Sequence, residues 1–160
     1  MKSFSITFRI IFWLSGVFIL LTSACTTPAI KDTTGFDPEL KKETGADEYG
    51  MKRYVMAFLY RGDSTLDSAF RIELQRQHLD NIGRMAEEGK LVLAGPFLDS
   101  TPLRGIYIFN TESIDEARQW TQTDPAIRAG SLKMELHPWY GSAALVKVNE
   151  LHKRLSEKAI

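Results

Sequence analysis

The chain has one cysteine in 160 residues and no net charge, with 20 Lys and Arg standing against 20 Asp and Glu. A single thiol excludes an intrachain disulfide framework and any multi-cysteine zinc or iron–sulfur site. The neutral total provides no basic footprint for nucleic acid. Histidine is scarce as well: His78, His137 and His152 show no ligand spacing, so neither a metal nor a protein-only catalytic zinc site is expected. The G-x-S-x-G, G-x-G-x-x-G, G-x-x-x-x-G-K and H-E-x-x-H patterns are all missing, which removes the usual signatures of serine hydrolases, dinucleotide folds, P-loops and zincins. No cofactor is implied. The longest uncharged apolar stretch, residues 10–21, has twelve residues. As a helix it would span about 18 Å at 1.5 Å per residue, short of the ~30 Å hydrocarbon core. What remains, 44% hydrophobic and 25% charged residues, is the composition of a globular domain with extensions.

The extensions come first. Lys2 and Arg9 flank a positive start, the apolar stretch follows, and then come Thr22, Ser23, Ala24 and Cys25. That order is the order of a secretory signal. Ser23-Ala24-Cys25 resembles the end of a bacterial lipoprotein signal, in which the cysteine is acylated and becomes the mature N-terminus. The usual pattern has Leu three residues before the cysteine; here Thr22 holds that place and Leu21 stands one earlier. The resemblance implies a membrane anchor through lipid on Cys25 and a place in the bacterial cell envelope, facing the periplasm or the cell exterior. Cleavage after Ala24 leaving a free thiol is one competing reading, and a transmembrane anchor extended to Ile30 is the other. Residues 26–50 hold six acids and three bases with few large apolar side chains, and read as a flexible tether. The chain thus divides into a signal (1–24), a lipid site and tether (25–50), a domain (51–141) and a tail (142–160).

Within the domain, residues 53–60 are short, aromatic and partly β-branched, as in a strand. Gly62-Asp63-Ser64 is a turn cluster. Residues 68–88 are helical, with Leu74, His78, Ile82 and Met85 on one side, Asp67 or Ser68 as cap and Gly89 as stop. Residues 91–97 make a second strand, interrupted by Gly95-Pro96 and so placed at a sheet edge. Residues 104–110 make a third. Ser113-Ile114-Asp115-Glu116 is a capping box opening a second helix to about Gln122. Asp124-Pro125 starts a short turn or helix ending at Gly130, and residues 132–138 form the last strand. The order is βαββαβ, an α+β chain of ferredoxin-like type. Strands one and three alternate Tyr54, Met56, Phe58 against Val55, Ala57, Leu59, and Ile106, Ile108 against Tyr107, Phe109, so both faces of the sheet are apolar. Two helices cover one face only. A second copy laid sheet against sheet is the expected cover of the other, hence a homodimer. The tail can form a helix with Leu145, Val148, Leu151 and Leu155 on one side, packed on the domain or its partner, or lying on a membrane surface.

Three polar residues stand out. His78 falls inside the apolar arc of its helix, where a histidine either bonds backbone at the core edge or belongs to a site. Asp124 before Pro125 fits a helix N-cap. Arg104 opens a strand and could hold an anion.

The span from Tyr54 to Trp139 resembles the YCII-related (YciI-like) domain family. The residues that carry the resemblance are Gln77-His78-Leu79, Leu93-Ala94-Gly95-Pro96, Arg104-Gly105, Asp115-Glu116-Ala117, residues 123–130 (TDPAIRAG) and Pro138-Trp139, in family order. The resemblance implies a ferredoxin-like dimeric α+β barrel with an active site built on a His–Asp pair, here His78 and Asp124. Such a pair would fix the imidazole tautomer and leave the second ring nitrogen to act as general base or acid in a mostly apolar pocket for an unidentified small molecule. Arg104 and Tyr54 are the expected pocket residues. With no nucleophile or metal in view, the chemistry would be proton transfer, as in isomerisation or elimination on a small cyclic or aromatic substrate. The alternatives are a non-catalytic ligand-binding or envelope-associated module and a purely structural dimerisation domain.

Overall fold

A computed structural model of the chain describes residues 35–158. The signal reading and Cys25 lie outside the described residues. Ten elements follow in order: α1 (Pro38–Thr44), β1 (Met51–Arg61), α2 (Ser68–Glu87), β2 (Leu91–Pro96), β3 (Leu103–Phe109), α3 (Ile114–Thr121), α4 (Pro125–Arg128), β4 (Leu132–Ser142), a 3-10 helix (Ala143–Lys147) and α5 (Val148–Leu155). The four strands form one antiparallel sheet in the order β2-β3-β1-β4. Together with the βαββαβ succession, that order is the ferredoxin-like arrangement. β2 pairs only with β3, so Pro96 sits at the end of an edge strand, where its missing N–H leaves no gap in a ladder.

Every described helix but α5 begins where a side chain satisfies a free backbone N–H. Asp67 accepts from the Phe70 amide at 2.9 Å to start α2, and Ser113 accepts from the Glu116 amide at 3.2 Å to start α3. α2 buries Leu74, His78, Asn81 and Met85, a stripe at helical spacing. This stripe packs on the sheet face made by Val55, Ala57, Leu59, Tyr107 and Phe109, joined by Leu91 and Ala117. Phe109 and Val55 are fully enclosed; burying a side chain of that size contributes about 1.5–3 kcal/mol.

The opposite face departs from the sequence reading in an informative way. A bulge between Leu91 and Leu93 turns both Val92 and Leu93 outward. There Tyr54, Val92 and Ile108 form a second buried cluster, and the cover is the chain's own Leu145 and Val146 from the 3-10 helix. The amide of Asn149 donates to Leu91 O at 2.7 Å, occupying a carbonyl of the edge strand. One end of this face therefore needs no second copy. Met56, Phe58 and Ile106, all half-buried, make up its open remainder.

Two boundaries also move. β4 runs on to Ser142 because residues 51–54 pair with it, Met51 opposite Ser142 and Tyr54 opposite Trp139, so the domain does not close at 141. The tether reading fails for the described part of residues 25–50. Asp37 caps α1, Pro38 occupies its first turn, Thr44 is buried, and Glu43 forms an ion pair with Lys147 of the C-terminal segment. A composition poor in large apolar residues could not reveal this, because α1 docks through small and charged groups. The tail is helical as expected, but only Leu145 of its apolar side reaches the sheet closely; Leu151 and Leu155 are exposed. Among the described residues no helix is long and apolar enough to cross a membrane.

Candidate functional site

His78 and Asp124 meet. The α2 stripe aims the imidazole inward, and the turn after α3 brings Asp124 under it, so that Nδ1 of His78 lies 2.8 Å from Oδ2 of Asp124. Asp124 is fully buried and His78 nearly so, at 0% and 8% exposure. The other carboxylate oxygen, Oδ1, accepts from the Ala126 amide at 2.9 Å and caps α4. Asp124 thus caps its helix with one oxygen and holds the histidine with the other. A buried ionised carboxylate is tolerated only when its lone pairs are bonded in this way. With Nδ1–H donating to Asp124, the neutral imidazole carries its lone pair on Nε2.

Nε2 faces a residue the sequence reading passed over as core. The hydroxyl of Tyr107, on β3, lies 3.4 Å from it, and the two rings stack with centroids 6.3 Å apart. Burial, and next the negative charge of Asp124, hold the Tyr107 phenol far above its ordinary range. The Tyr107 hydroxyl therefore stays protonated near neutrality and can donate to Nε2 when Nδ1 carries the ring proton. Strand alternation put Tyr107 on the helix face but could not say which helical residue it would meet.

Behind the pair, a polar clasp joins α2 to the loop before Asp124. Arg84 Nη2 donates to Asn81 Oδ1 at 2.7 Å and to Thr123 Oγ1 at 2.9 Å, and Thr123 Oγ1 lies 3.0 Å from Asn81 Oδ1. These bonds fix the loop one residue away from the carboxylate, which explains the buried Asn81 in an otherwise apolar stripe.

Beside the pair opens a cavity of about 400 Å³. It reaches the site through Leu74, one turn before His78 on α2, and Ala126, whose amide Asp124 binds. Arg104 lines it. Arg61 and Arg71 line it too, and neither was singled out by sequence pattern. One wall is set by a close backbone crossing. Gly62 N donates to Ser131 O at 2.8 Å, and a Cβ on Gly62 would lie 2.0 Å from Gly130 O, so only glycine fits.

Tyr54 does not belong to this site. Strand alternation puts it on the sheet face opposite Val55, where it is 1% exposed, packs near Trp139 and donates its hydroxyl to Ser142 O at 3.1 Å. Its place in the pocket is corrected on that ground: His78 is on the other side of the sheet. His137 also lies on that outer face, against Phe58. Among the described residues no three His, Cys, Asp or Glu side chains cluster as metal ligands.

Comparison with known proteins agrees with the sequence pattern at family level. The YCII-related domain matches residues 53–140. The chain is 31% identical over 62 residues to the uncharacterized protein YjpA of Bacillus subtilis (strain 168), a match covering 39% of this chain and 71% of that protein. Among solved structures it is similar to the 5-chloro-2-hydroxyhydroquinone dehydrochlorinase (TftG) from Burkholderia phenoliruptrix AC1100, in complex with 2,5-dihydroxybenzoquinone. That likeness has 23% identity and a TM-score of 0.40, covering 52% of this chain and 92% of that one. The chain belongs to the YCII-related domain family.

Proposed function

We propose that this YCII-related domain binds a small molecule beside His78 and moves a proton on it. In this reading His78 is the general base or acid, Asp124 fixes its tautomer, and Tyr107 donates to the ring nitrogen that does the work. The observation that carries the proposal is the 2.8 Å contact between Nδ1 of His78 and a fully buried carboxylate. Capping α4 needs only one acceptor, and a serine would serve; an aspartate whose second oxygen is spent on a histidine does more than cap. Proton transfer suits isomerisation or elimination on a small cyclic or aromatic substrate, since none of the three side chains is poised as a nucleophile. The test is deuterium incorporation from heavy water into a panel of small cyclic and aromatic acids. Wild type is expected to label at least one, and His78→Asn to lose the labelling. Equal labelling by both proteins would sink the assignment.

A second reading is a binding module without chemistry. The observation in its favour is that neither His78 nor Asp124 lines the cavity itself. Ligand capture by wild type with no exchange on any bound compound would select it.

We also propose that the chain is exported and anchored through lipid on Cys25, in the envelope and facing the periplasm or exterior. The support is the order Lys2, Arg9, apolar stretch, Ser23-Ala24-Cys25. Acyl labelling retained by Cys25→Ser would remove it. A homodimer through the open part of the sheet face is the third proposal, supported by Met56, Phe58 and Ile106 lying there together. Sedimentation of the purified chain as a monomer would overturn it.

A further inference from the structure

The described residues contain nine arginines, and four of them, Arg53, Arg76, Arg84 and Arg118, lie within salt-bridge distance of a carboxylate. Three of the other five, Arg61, Arg71 and Arg104, line one cavity. They arrive from three separate elements: the end of β1, the first turn of α2 and the start of β3. No aspartate or glutamate lines that cavity; its other polar groups are hydroxyls and an amide, such as Ser64 and Gln75. The acid nearest in sequence to Arg104, Asp99, lies outside the lining; its carboxyl is held down first by bonds from Thr101 and last by the charge of Arg104. Asp63, beside Arg61 in the chain, is held by Lys133 at 2.5 Å.

Three like charges on one concave wall repel one another; Asp99, outside the lining, acts on Arg104 alone, and the wall itself supplies no carboxylate to balance the three. An oxyanion does. The planar guanidinium fork matches carboxylate geometry, and charge-assisted bonds of this kind are the strong ones. The same cavity has an apolar side, with Leu66, Leu74, Ala126 and Leu132 among its lining. Its 400 Å³ lies in the ordinary range for small-ligand sites, about 300–1,000 Å³. The Gly62–Ser131 crossing holds the wall in place before any ligand arrives.

We infer that this cavity takes a small organic carboxylate, with the carboxylate on Arg61, Arg71 and Arg104 and an apolar body lying along Leu74 and Ala126 toward His78. This names the ligand class of the site proposed above and rests on that reading. The arginines are binding residues, and they orient the apolar body toward the pair.

The probes are benzoate and its neutral isostere benzamide, titrated at millimolar concentration into the full chain and followed by amide NMR shifts. Benzoate is expected to shift the amides of Gly62, Ser64 and Ser131, and benzamide to leave them in place. The Arg71→Gln/Arg104→Gln double variant is expected to bind benzoate at least tenfold more weakly, with its other amide shifts reporting an intact fold. Benzamide binding as well as benzoate, a double variant that binds like wild type, or no shift with benzoate would each overturn the inference. Failure here is separable from failure of the proton-transfer reading. Loss of deuterium labelling in His78→Asn with unchanged benzoate binding in the arginine variant defeats only the carboxylate assignment. The reverse pair of results defeats only the proton-transfer reading.

Discussion

Replacing Asp124 separates two jobs that one side chain performs. Asp124→Ala removes the acceptor of the Ala126 amide, 2.9 Å away, and the partner of His78 Nδ1, 2.8 Å away. Loss of an N-cap acceptor costs about 1 kcal/mol, within a range of roughly 0.5–2. A buried N–H left without an acceptor costs about 1–3 kcal/mol, and Nδ1 has no route to water through a fully buried neighbour. The sum is about 2–5 kcal/mol, or on the order of 10 °C in melting temperature for a unit of this size. Asp124→Asn behaves differently. Its carbonyl can keep the cap, which turns its NH2 toward His78. The neutral ring must then accept at Nδ1 and carry its proton on Nε2. The Asn variant should therefore lose little stability, about 1 kcal/mol or less, while inverting the tautomer and removing the base at Nε2. Denaturant unfolding measures the first, and imidazole 15N shifts, taken at a pH where the ring is neutral, measure the second. Equal destabilisation by Asn and Ala would refute the lone-pair argument, as would an unchanged tautomer in the Asn variant.

Other outcomes follow from the same geometry. The Tyr107 phenol ionises later in the folded chain than in the unfolded one, so its contribution is whole below pH 10 and falls by about 1.4 kcal/mol per pH unit above it. Tyr107→Phe should make the alkaline limb of a stability–pH curve shallower; an identical limb would count against the buried donor. Bonds from Arg76 and Gln77 pull Glu73 down to about 2. Its contribution is present above its unfolded value of 4.5 and is lost as pH falls toward 2, so Glu73→Gln should soften the acid limb, and a curve superimposable on wild type would contradict this. Gly62→Ala forces a methyl to within 2.0 Å of Gly130 O. That overlap should destabilise by about 1–3 kcal/mol or more and disturb the Ser131 side of the cavity, visible as lost amide protection there. A Gly62→Ala chain as stable as wild type would mean that the two segments do not cross so closely.

The succession of strands and helices along the chain, the edge position of β2 and the start of each long helix are legible because each has a local cause. Pro96 cannot donate, Ser113 and Asp67 can cap, and apolar residues alternate at period two. His78 was legible as an oddity, a polar residue inside an apolar arc. Tyr107 was not. An apolar-facing tyrosine on a strand is ordinary core by every local rule, and only the third dimension puts its hydroxyl at Nε2. Arg61 and Arg71 were hidden for a similar reason: they lie ten residues apart on different elements, and nothing in their spacing shows that Arg104 of β3 joins them. Tyr54 failed because nearness in the family pattern is not nearness in space. One residue of strand register, Tyr54 against Val55, places it across the sheet. The tether failed because Asp37-Pro38 and Glu43 act through capping and an ion pair, which hydropathy does not register.

Asp-Pro at the head of a short helix explains itself as a cap, and that completeness is why spacing alone favours the structural reading of Asp124. Burial breaks the tie. A cap at the surface works with one oxygen while water takes care of the other. Asp124 is fully enclosed, so its second oxygen must find a donor in the protein or go unbonded at a cost of several kcal/mol. The donor it finds is Nδ1 of His78, itself enclosed and equally in need of an acceptor. Each group makes the other tolerable, and neither would be stable there alone. The capping role and the site role are thus not rival accounts of one residue. They use different oxygens, and the cap on Oδ1 is what holds Oδ2 at the right place for the histidine. An imidazole fixed in this way presents Nε2 to the Tyr107 hydroxyl, 3.4 Å away, so on the proposed reading a ligand in the neighbouring cavity exchanges a proton with Nε2 only once that hydroxyl gives way.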